Sequence, residues 1–360
     1  MIKQEQYSAP GRICLYGEHQ DYLKLIVVPA AINLRTTITL RKNNSNKIKV
    51  YSESLIKEDH FEISNQITLA QNEFDYIRAI LIILLKEKLA EKIPGFDLKI
   101  KSNIPIGSGL SSSAAILVSW LTALNDQLNL DLSKRQIADL CFKAENQILR
   151  INCGIMDQYS SSLGGIFSLD CNGPPYNITE FKSNLEGLVI GDSKIRRSAN
   201  EPLTILRKQI NDGLSKLQNI DNNITLKNIE INSLDNYKPL LTSIEYKRLY
   251  GVLRIRDVTL KACKELLKKK NQNLDLLGKL LTDQQTMLRD FLGVSIEKLD
   301  LMINSAMKAG ALGGKLTGAG LGGCIIAFAP EKELKIAKAI NKIGGEAIIC
   351  KIDEDGARKE

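Results

Sequence analysis

The sequence predicts an α+β protein of two domains, and three observations carry that expectation. The chain has 360 residues, a length that favours two domains over one. Its first half mixes strand-like runs with amphipathic helical stretches, whereas the segment from Leu203 to about Leu281 is dominated by helical periodicity with charged faces. The end returns to strands around a single helix. The change of pattern puts a boundary near residue 180 and divides the chain into residues 1–180 and 181–360.

Taken in order, Ile26–Ile32, Thr36–Leu40 and Ile48–Tyr51 are rich in β-branched residues and Phe96–Ile100 alternates, so all four read as strands. Asp75–Lys88, Ala114–Leu128 and Lys134–Leu149 have the apolar spacing of helices. Phe167–Leu169 and Leu188–Ile190 are short apolar runs ahead of the helical segment. Gly323–Ala329 and Glu346–Ile352 read as strands, with a helix over Glu331–Ile343 between them. No internal repeat or low-complexity linker interrupts the series.

Composition narrows the function classes. At 44% hydrophobic and 25% charged residues the chain is an ordinary globular protein. Its formal charge is +8, but the lysines are spread among glutamates and asparagines, so no nucleic-acid partner is expected. A mild positive field suits an anionic substrate such as a nucleoside triphosphate, or serves solubility alone. The first residues carry acid and amide where a secretory signal needs a long apolar stretch. The longest apolar run, Ala79–Leu85, falls far short of the roughly 20 residues that span a bilayer. A cytoplasmic protein without a membrane partner is expected. Seven widely spaced cysteines with no Cys-x-x-Cys pair read as reduced, buried thiols. Two histidines exclude a multi-histidine metal site and leave few candidates for a Ser-His-Asp base.

Four clusters carry chemistry. The first, Pro105-Ile106-Gly107-Ser108-Gly109-Leu110-Ser111-Ser112-Ser113-Ala114-Ala115, is a glycine-rich turn with three serines that opens an apolar helix. Glycines permit close backbone approach and a helix start offers unpaired N–H groups, so this is chemically a phosphate cradle. No Gly-Lys-Ser/Thr closes it, which excludes the Walker pattern and leaves ligation to the hydroxyls. A capped helix after a flexible turn is the plainer alternative. The second cluster, Leu316–Cys324 with Gly318, Gly320 and Gly322, formally satisfies the dinucleotide pattern. It precedes a β-rich run near the C-terminus instead of opening a helix, and so excludes a nicotinamide or flavin cofactor. It is either a loop packed on the other glycine-rich loop or the transferred phosphoryl group, or a tight hairpin-like turn.

The third cluster, Ala9–Tyr22, sets Arg12, Glu18, His19 and Asp21 close together beside glycines and an apolar strand. Such a density of directional groups suits a polyhydroxyl ligand, although a solvated loop fits equally well. In the fourth, Glu145 lies on the expected helix and Asp157 on the glycine-containing turn Asn152–Gln158 after it. Two carboxylates from different elements can face one site, one holding magnesium and the other handling a proton; each taken separately also fits a surface carboxylate.

In their order, Pro-Gly-Arg…Gly-Glu-His-x-Asp-Tyr, Pro-x-Gly-x-Gly-Leu-Ser-Ser-Ser-Ala, Gly-Ile-Met-Asp-Gln and Thr-Gly-x-Gly-x-Gly-Gly-Cys, these clusters resemble the GHMP kinases. The Gly-Glu-His-x-Asp-Tyr and Gly-Ile-Met-Asp-Gln motifs point to galactokinases within that group. Phe74-Asp75-Tyr76-Ile77-Arg78 is similar to the family's aromatic-x-Tyr-x-Arg stretch near the adenine site. The resemblance implies a two-domain GHMP kinase fold with the active site in the interdomain cleft, and ATP and magnesium as co-substrate and cofactor. It implies that Pro105, Gly107, Ser108, Gly109, Leu110, Ser111, Ser112, Ser113, Ala114 and Tyr76 surround ATP, with Gly318, Gly320 and Gly322 beside the phosphates. By the same resemblance Ser113 and Glu145 match the magnesium ligands, Asp157 the catalytic base, and Arg12 the arginine beside that base. Glu18, His19, Asp21, Gly154 and Asp157 match sugar contacts. The implied reaction passes the γ-phosphoryl group of ATP to the anomeric hydroxyl of a hexose, in a monomer or weak homo-oligomer.

The chain also departs from the galactokinase pattern. Cys14-Leu15-Tyr16 replaces Asn-Leu-Ile, and Leu23-Lys24-Leu25 replaces Asn-Gly-Gly. Ser193–Arg197 is similar to the segment Asn-Ser-x-Val-x-His, and in that register Thr204 stands at the place of a sugar-contacting tyrosine, with Arg207-Lys208 where the segment ends in Arg-Arg. Gly313–Gly320 looks more like mevalonate kinase, the second reading. A non-catalytic sugar sensor is the third, and retention of Arg12, Glu145 and Asp157 argues against it.

Overall fold

The computed structural model describes residues 4–64, 66–182, 185–196, 200–268 and 270–360. Arg197, part of one family-like segment, lies outside them. The elements are β1 (Glu5–Tyr16), β2 (Ile26–Lys42), β3 (Lys47–Ser52), β4 (Lys57–Glu62), α1 (Asp75–Lys86), β5 (Phe96–Ser102), α2 (Ser112–Leu128), α3 (Lys134–Lys143), α4 (Met156–Leu163), β6 (Ile166–Asp170) and β7 (Asn177–Phe181). They continue with β8 (Leu188–Asp192), α5 (Asn200–Gln218), α6 (Ser243–Leu266), α7 (Leu274–Thr286), α8 (Glu297–Lys308), β9 (Gly313–Thr317), β10 (Cys324–Phe328), α9 (Glu333–Lys342), β11 (Glu346–Cys350) and β12 (Arg358–Lys359).

Among the described residues two sheets form. The larger runs β12-β1-β2-β5-β3-β4, with β6 on the first half of β2 and β7 on β6. Its pairs are antiparallel except β3 with β5. The smaller sheet runs β11-β8-β10-β9 and is antiparallel throughout. This mixed α/β architecture matches the expected class. β10, Cys-Ile-Ile-Ala-Phe, is buried along its whole length, as an uninterrupted apolar run in an interior strand requires.

Several expectations change. The strands read as Ile26–Ile32 and Thr36–Leu40 are one strand, because β2 pairs with β1 through the intervening residues. Ala9–Tyr16 is strand and not loop. β1 tolerates Pro10 and Gly11 because its register slips between them, and its residues from Tyr7 onward are buried. The helix expected over Lys134–Leu149 is α only to Lys143, after which Ala144–Ile148 forms a π turn. The long helical segment breaks into α5, a 3₁₀ stretch over Ile231–Leu240 that contains Pro239, α6 and α7. α6 restarts sharply because Thr242 and Glu245 form a reciprocal capping box.

One apolar core lies between the larger sheet and α1–α2, centred on Trp120 and Phe96. A second fills the helical half, and a third joins the sheets, packing Ile13, Leu15 and Val28 against Ile190, Ile326 and Phe328. All seven cysteines are free, with Cys153 and Cys263 half-buried and the rest buried. Among the described residues no helix is long and apolar enough to cross a membrane.

Candidate active site

The site is built on β1. The backbone N–H of Arg12 donates to the Leu110 carbonyl at 3.1 Å, which lays the serine-rich loop along the strand. Arg12 is buried and points its guanidinium at Asp157 in a bidentate pair, Nε to Oδ1 at 2.8 Å and Nη2 to Oδ2 at 3.0 Å, while Nη1 donates to the Gly109 carbonyl. Burial works against that cation, but the charges of Asp157 and Glu18 outweigh it and hold the Arg12 pKa above the ordinary arginine value. Asp157 stands in the first turn of α4 and not on the preceding turn, which fixes its carboxylate from a helical backbone. Its side chain keeps 26% exposure, toward the cavity described next.

That cavity, about 480 Å³, is lined by Gly107, Ser108, Gly109, Ser111, Ser112 and Ser113, with Arg12, Asp157 and Ala319 on its floor. Its far end is formed by Tyr76 of α1 with Ser52, Leu55 and Ile100. Pro105, Leu110 and Ala114 shape the loop from behind: the Pro105 carbonyl accepts from Ser108 Oγ at 2.7 Å, and the side chains of Leu110 and Ala114 are buried. Arg196, tied to Asp192, steadies the loop through the Ile106 carbonyl at 2.7 Å. The second glycine cluster is both things the sequence allowed, a hairpin loop between β9 and β10 and a surface packed on the serine loop. A Cβ on Gly109 would come within 2.9 Å of the Thr317 carbonyl, and one on Gly318 within 2.7 Å of the Gly109 carbonyl. Both have φ above +75°, a region that favours glycine. Gly320 and Gly322 press against the backbone of Val294 and Ile195, so that Ala319 is the residue of this loop on the cavity wall.

Glu145 sits on the π turn, buried, with its Oε2 accepting from Gln158 Nε2 at 2.6 Å. Burial and the nearby Asp157 charge push its pKa up to about 7, against hydrogen bonds from Ser113 and Gln158. Ser111 Oγ is buried without a partner.

On the other side of Arg12, Glu18 and His19 are buried, and Asp21 follows in a 3₁₀ turn. Asp21 Oδ1 accepts from the Tyr22 N–H at 2.9 Å, and burial with the Asp157 charge raises its pKa to about 6. Gly154 touches that carboxylate: a Cβ there would lie 1.8 Å from Asp21 Oδ2. His19 Nδ1 lies 3.1 Å from the Tyr22 hydroxyl, and the Ala319 backbone carbonyl faces the ring. Burial, with Arg207 and Lys315 nearby, lowers the His19 pKa to about 3, so the ring is neutral. The predicted residues therefore gather on one surface, with Arg12–Asp157 between the serine-loop cavity and the Glu18–Asp21 segment.

Comparison with known proteins decides the family. The model for the GHMP kinases N terminal domain matches residues 75–165, that for GHMP kinases C terminal matches 260–346, and the galactokinase galactose-binding signature matches 3–42. A galactokinase of Clostridium beijerinckii is 31% identical, over 98% of this chain and 94% of its own. The chain belongs to the GHMP kinase family. The crystal structure of Lactococcus lactis galactokinase complexed with galactose superposes with a TM-score of 0.88 at 28% identity, covering 99% of this chain and 95% of that one. A mevalonate kinase of Pyrococcus horikoshii is 29% identical over 100% of this chain and 99% of its own. This GHMP kinase is a galactokinase-like, ATP-dependent phosphotransferase with an alcohol group as acceptor.

Magnesium is tested by the donor set. Among the described residues no group of three acidic, histidine or cysteine side chains could hold a metal alone. Magnesium is commonly held by one or two carboxylates plus substrate phosphates. A buried Glu145 whose charge is disfavoured, beside the Ser113 hydroxyl, fits such a half-built site.

Sequence reading missed other members. Lys315 is fully buried and donates to Glu18 Oε2 at 2.8 Å and the Cys14 carbonyl at 2.7 Å. Arg207, read only as half of a family dipeptide, lies over the Tyr22 ring at 3.9 Å and is held by Asn152. Gln284 Oε1 receives the Gly17 N–H at 2.9 Å. A lysine inside the apolar strand Gly313–Thr317 was the one available signal, since lysine is rarely buried unless paired.

Proposed function

We propose that this chain transfers the γ-phosphoryl group of ATP to the anomeric hydroxyl of a hexose of the galactose type, giving a sugar 1-phosphate and ADP. The observation that carries this reading is the bidentate Arg12–Asp157 pair between a hydroxyl-rich cavity and the Glu18–Asp21 segment. In this reading the N–H groups at the start of α2 and the loop serines bind the phosphates, while Tyr76 flanks the base. Asp157 accepts the proton of the attacking hydroxyl. Arg12 holds that carboxylate in place and faces the charge that develops on the phosphoryl oxygens. Glu18, His19, Asp21 and the Gly154 backbone orient the sugar. Magnesium, bound by Glu145 and Ser113 together with the ATP phosphates, supplies charge neutralisation there. The residues mainly position and neutralise, which is what a loose phosphoryl-transfer transition state needs. The enzyme is further expected to be cytoplasmic, a monomer or weak homo-oligomer, with its two parts divided near residue 180.

Mevalonate phosphorylation is the second reading, favoured by the likeness to the mevalonate kinase of Pyrococcus horikoshii. Against it, a carboxylate substrate would meet Glu18 and Asp21, and the buried Lys315 ammonium is already paired with Glu18. The test is ADP release measured over galactose, N-acetylgalactosamine, arabinose, glucuronate, fucose, heptose and mevalonate, with the product's phosphate position assigned by NMR. Turnover of a hexose to its 1-phosphate is expected; turnover of mevalonate alone replaces the reading, and turnover of none leaves a sugar sensor.

A further inference from the structure

Lys315 lies in β9 of the smaller sheet, yet its ammonium reaches a residue of the larger one. It is 0% exposed, and its two acceptors are the Cys14 carbonyl and Glu18 Oε2. A buried ammonium that loses its carboxylate is strongly disfavoured, so this contact is obligatory in the folded state and pins Glu18 in one place. Oε1 of Glu18 has no hydrogen bond to any described residue, so that in a side chain only 3% exposed one oxygen is held and the other lacks a protein donor. The same chain segment is fastened at four further points: Cys14 N–H to Thr317 Oγ1 at 3.0 Å, Tyr16 hydroxyl to the Leu277 carbonyl at 2.8 Å, Gly17 N–H to Gln284 Oε1 at 2.9 Å, and Gln20 Nε2 to the Val252 carbonyl at 3.0 Å. The charges alternate from Lys315 through Glu18 and Arg12 to Asp157, and the Glu18 charge supports that of Arg12.

We infer that Lys315 is a positioning residue for the acceptor: from the C-terminal half it holds one oxygen of Glu18 so that the other accepts from a hydroxyl of the bound sugar. The inference rests on the sugar-kinase reading. Lys315 is fully buried and acts on the acceptor through the Glu18 carboxylate it holds.

The experiment is steady-state kinetics with galactose and ATP on Glu18→Gln, Lys315→Met and the double variant, each checked for folding by thermal unfolding. Losing an acceptor held by a charge-assisted hydrogen bond predicts a galactose KM raised about tenfold or more in both single variants, with the ATP KM unchanged. The double variant should match Glu18→Gln, because the lysine has nothing left to act through. If Lys315→Met does not fold, the double variant decides, since it leaves no unpaired buried charge. A galactose KM equal to that of Glu18→Gln supports the inference, and a further rise overturns it. Lys315→Met with the wild-type galactose KM overturns it as well, and leaves the sugar reading standing. No turnover of galactose by the wild-type enzyme, or an unchanged galactose KM in Glu18→Gln, removes the sugar reading and this inference together.

Discussion

The division of acidic chemistry proposed for Asp157 and Glu145 rests on their different surroundings. Asp157 is clamped by Arg12 and lines the cavity, whereas Glu145 is buried and receives only Gln158 and the Ser113 hydroxyl. A positioned base contributes about 10²- to 10⁴-fold, so Asp157→Asn should lower kcat by roughly that factor while the KM values and the melting temperature stay near wild type. Near-normal turnover would take the base away from Asp157 and leave electrostatic stabilisation by Arg12. For Glu145 the sign follows from its pKa of about 7, raised by burial: the free carboxyl takes up a proton as pH falls through 7, and a proton and a cation compete for it. The magnesium concentration for half-maximal activity should therefore rise as pH drops from 8 to 6, and Glu145→Gln should weaken magnesium dependence strongly at every pH. A pH-independent magnesium requirement would move the ligand elsewhere. The same residue gives a stability trend, since the folded chain holds protons on Glu145 and Asp21 that the unfolded chain releases at lower pH; ligand-free stability falls as pH rises from about 4.5 to 7. At this scale the clusters read from the sequence do come together around the serine-loop cavity, whereas Ser52, Leu55, Arg207, Lys315 and Gln284, brought in from distant parts of the chain, were not legible.

Elements were legible where an apolar pattern runs unbroken and obscure where Pro, Gly or charge interrupts it, since α1, α2 and β10 are buried nearly all round and were still read. α1 and α2 follow their apolar spacing closely, whereas β1, buried on both faces and carrying Pro10, Gly11 and Arg12, has no alternation to read. The π turn at Ala144–Ile148 was equally hidden, since its period differs from the α-helix by one residue and the apolar pattern around it continues. The two glycine loops show the opposite case, in which a motif was plain but its dual role needed the fold. Gly109 has φ of +80° and its absent side chain admits the Thr317 carbonyl, so Gly109→Ala combines left-handed strain with a clash against backbone. Such strain is worth roughly 1–3 kcal/mol, and it falls on the loop proposed to contact the phosphates. Gly109→Ala should raise the ATP KM by about tenfold and lower the melting temperature by several degrees, with galactose affinity changed less. An unchanged ATP KM in the folded variant would separate this loop from the nucleotide.

At the scale of the whole molecule the two sheets share a core, and this bears on how the site is held together. Ile13, Leu15 and Val28 of the larger sheet pack against Ile190, Ile326 and Phe328 of the smaller, with Leu277 and Leu281 of α7 beside them. The last residues cross back as well: the Asp353 N–H bonds the Ala31 carbonyl at 3.0 Å, and β12 pairs with β1. The segment proposed to bind the acceptor thus takes part of its fastening from β9 of the smaller sheet. Sequence patterning pointed to two parts but gave no sign of this junction, because each side contributes apolar residues that read as ordinary strand interiors. A shared core predicts one cooperative transition. The single tryptophan, Trp120, reports on the first core alone, being buried against Phe96 with its indole N–H donating to the Ile77 carbonyl at 3.2 Å. Far-UV circular dichroism reports helices of both halves. Thermal unfolding followed by the two signals should give coincident midpoints, and ATP-dependent activity should disappear in the same interval. Leu15→Ala opens a cavity at the junction, and large-to-small changes of this kind destabilise by about 2–5 kcal/mol, so both midpoints should fall together. Two separated transitions, with Leu15→Ala moving only the tryptophan signal, would mean that the halves fold independently and that Lys315 reaches Glu18 only after they dock.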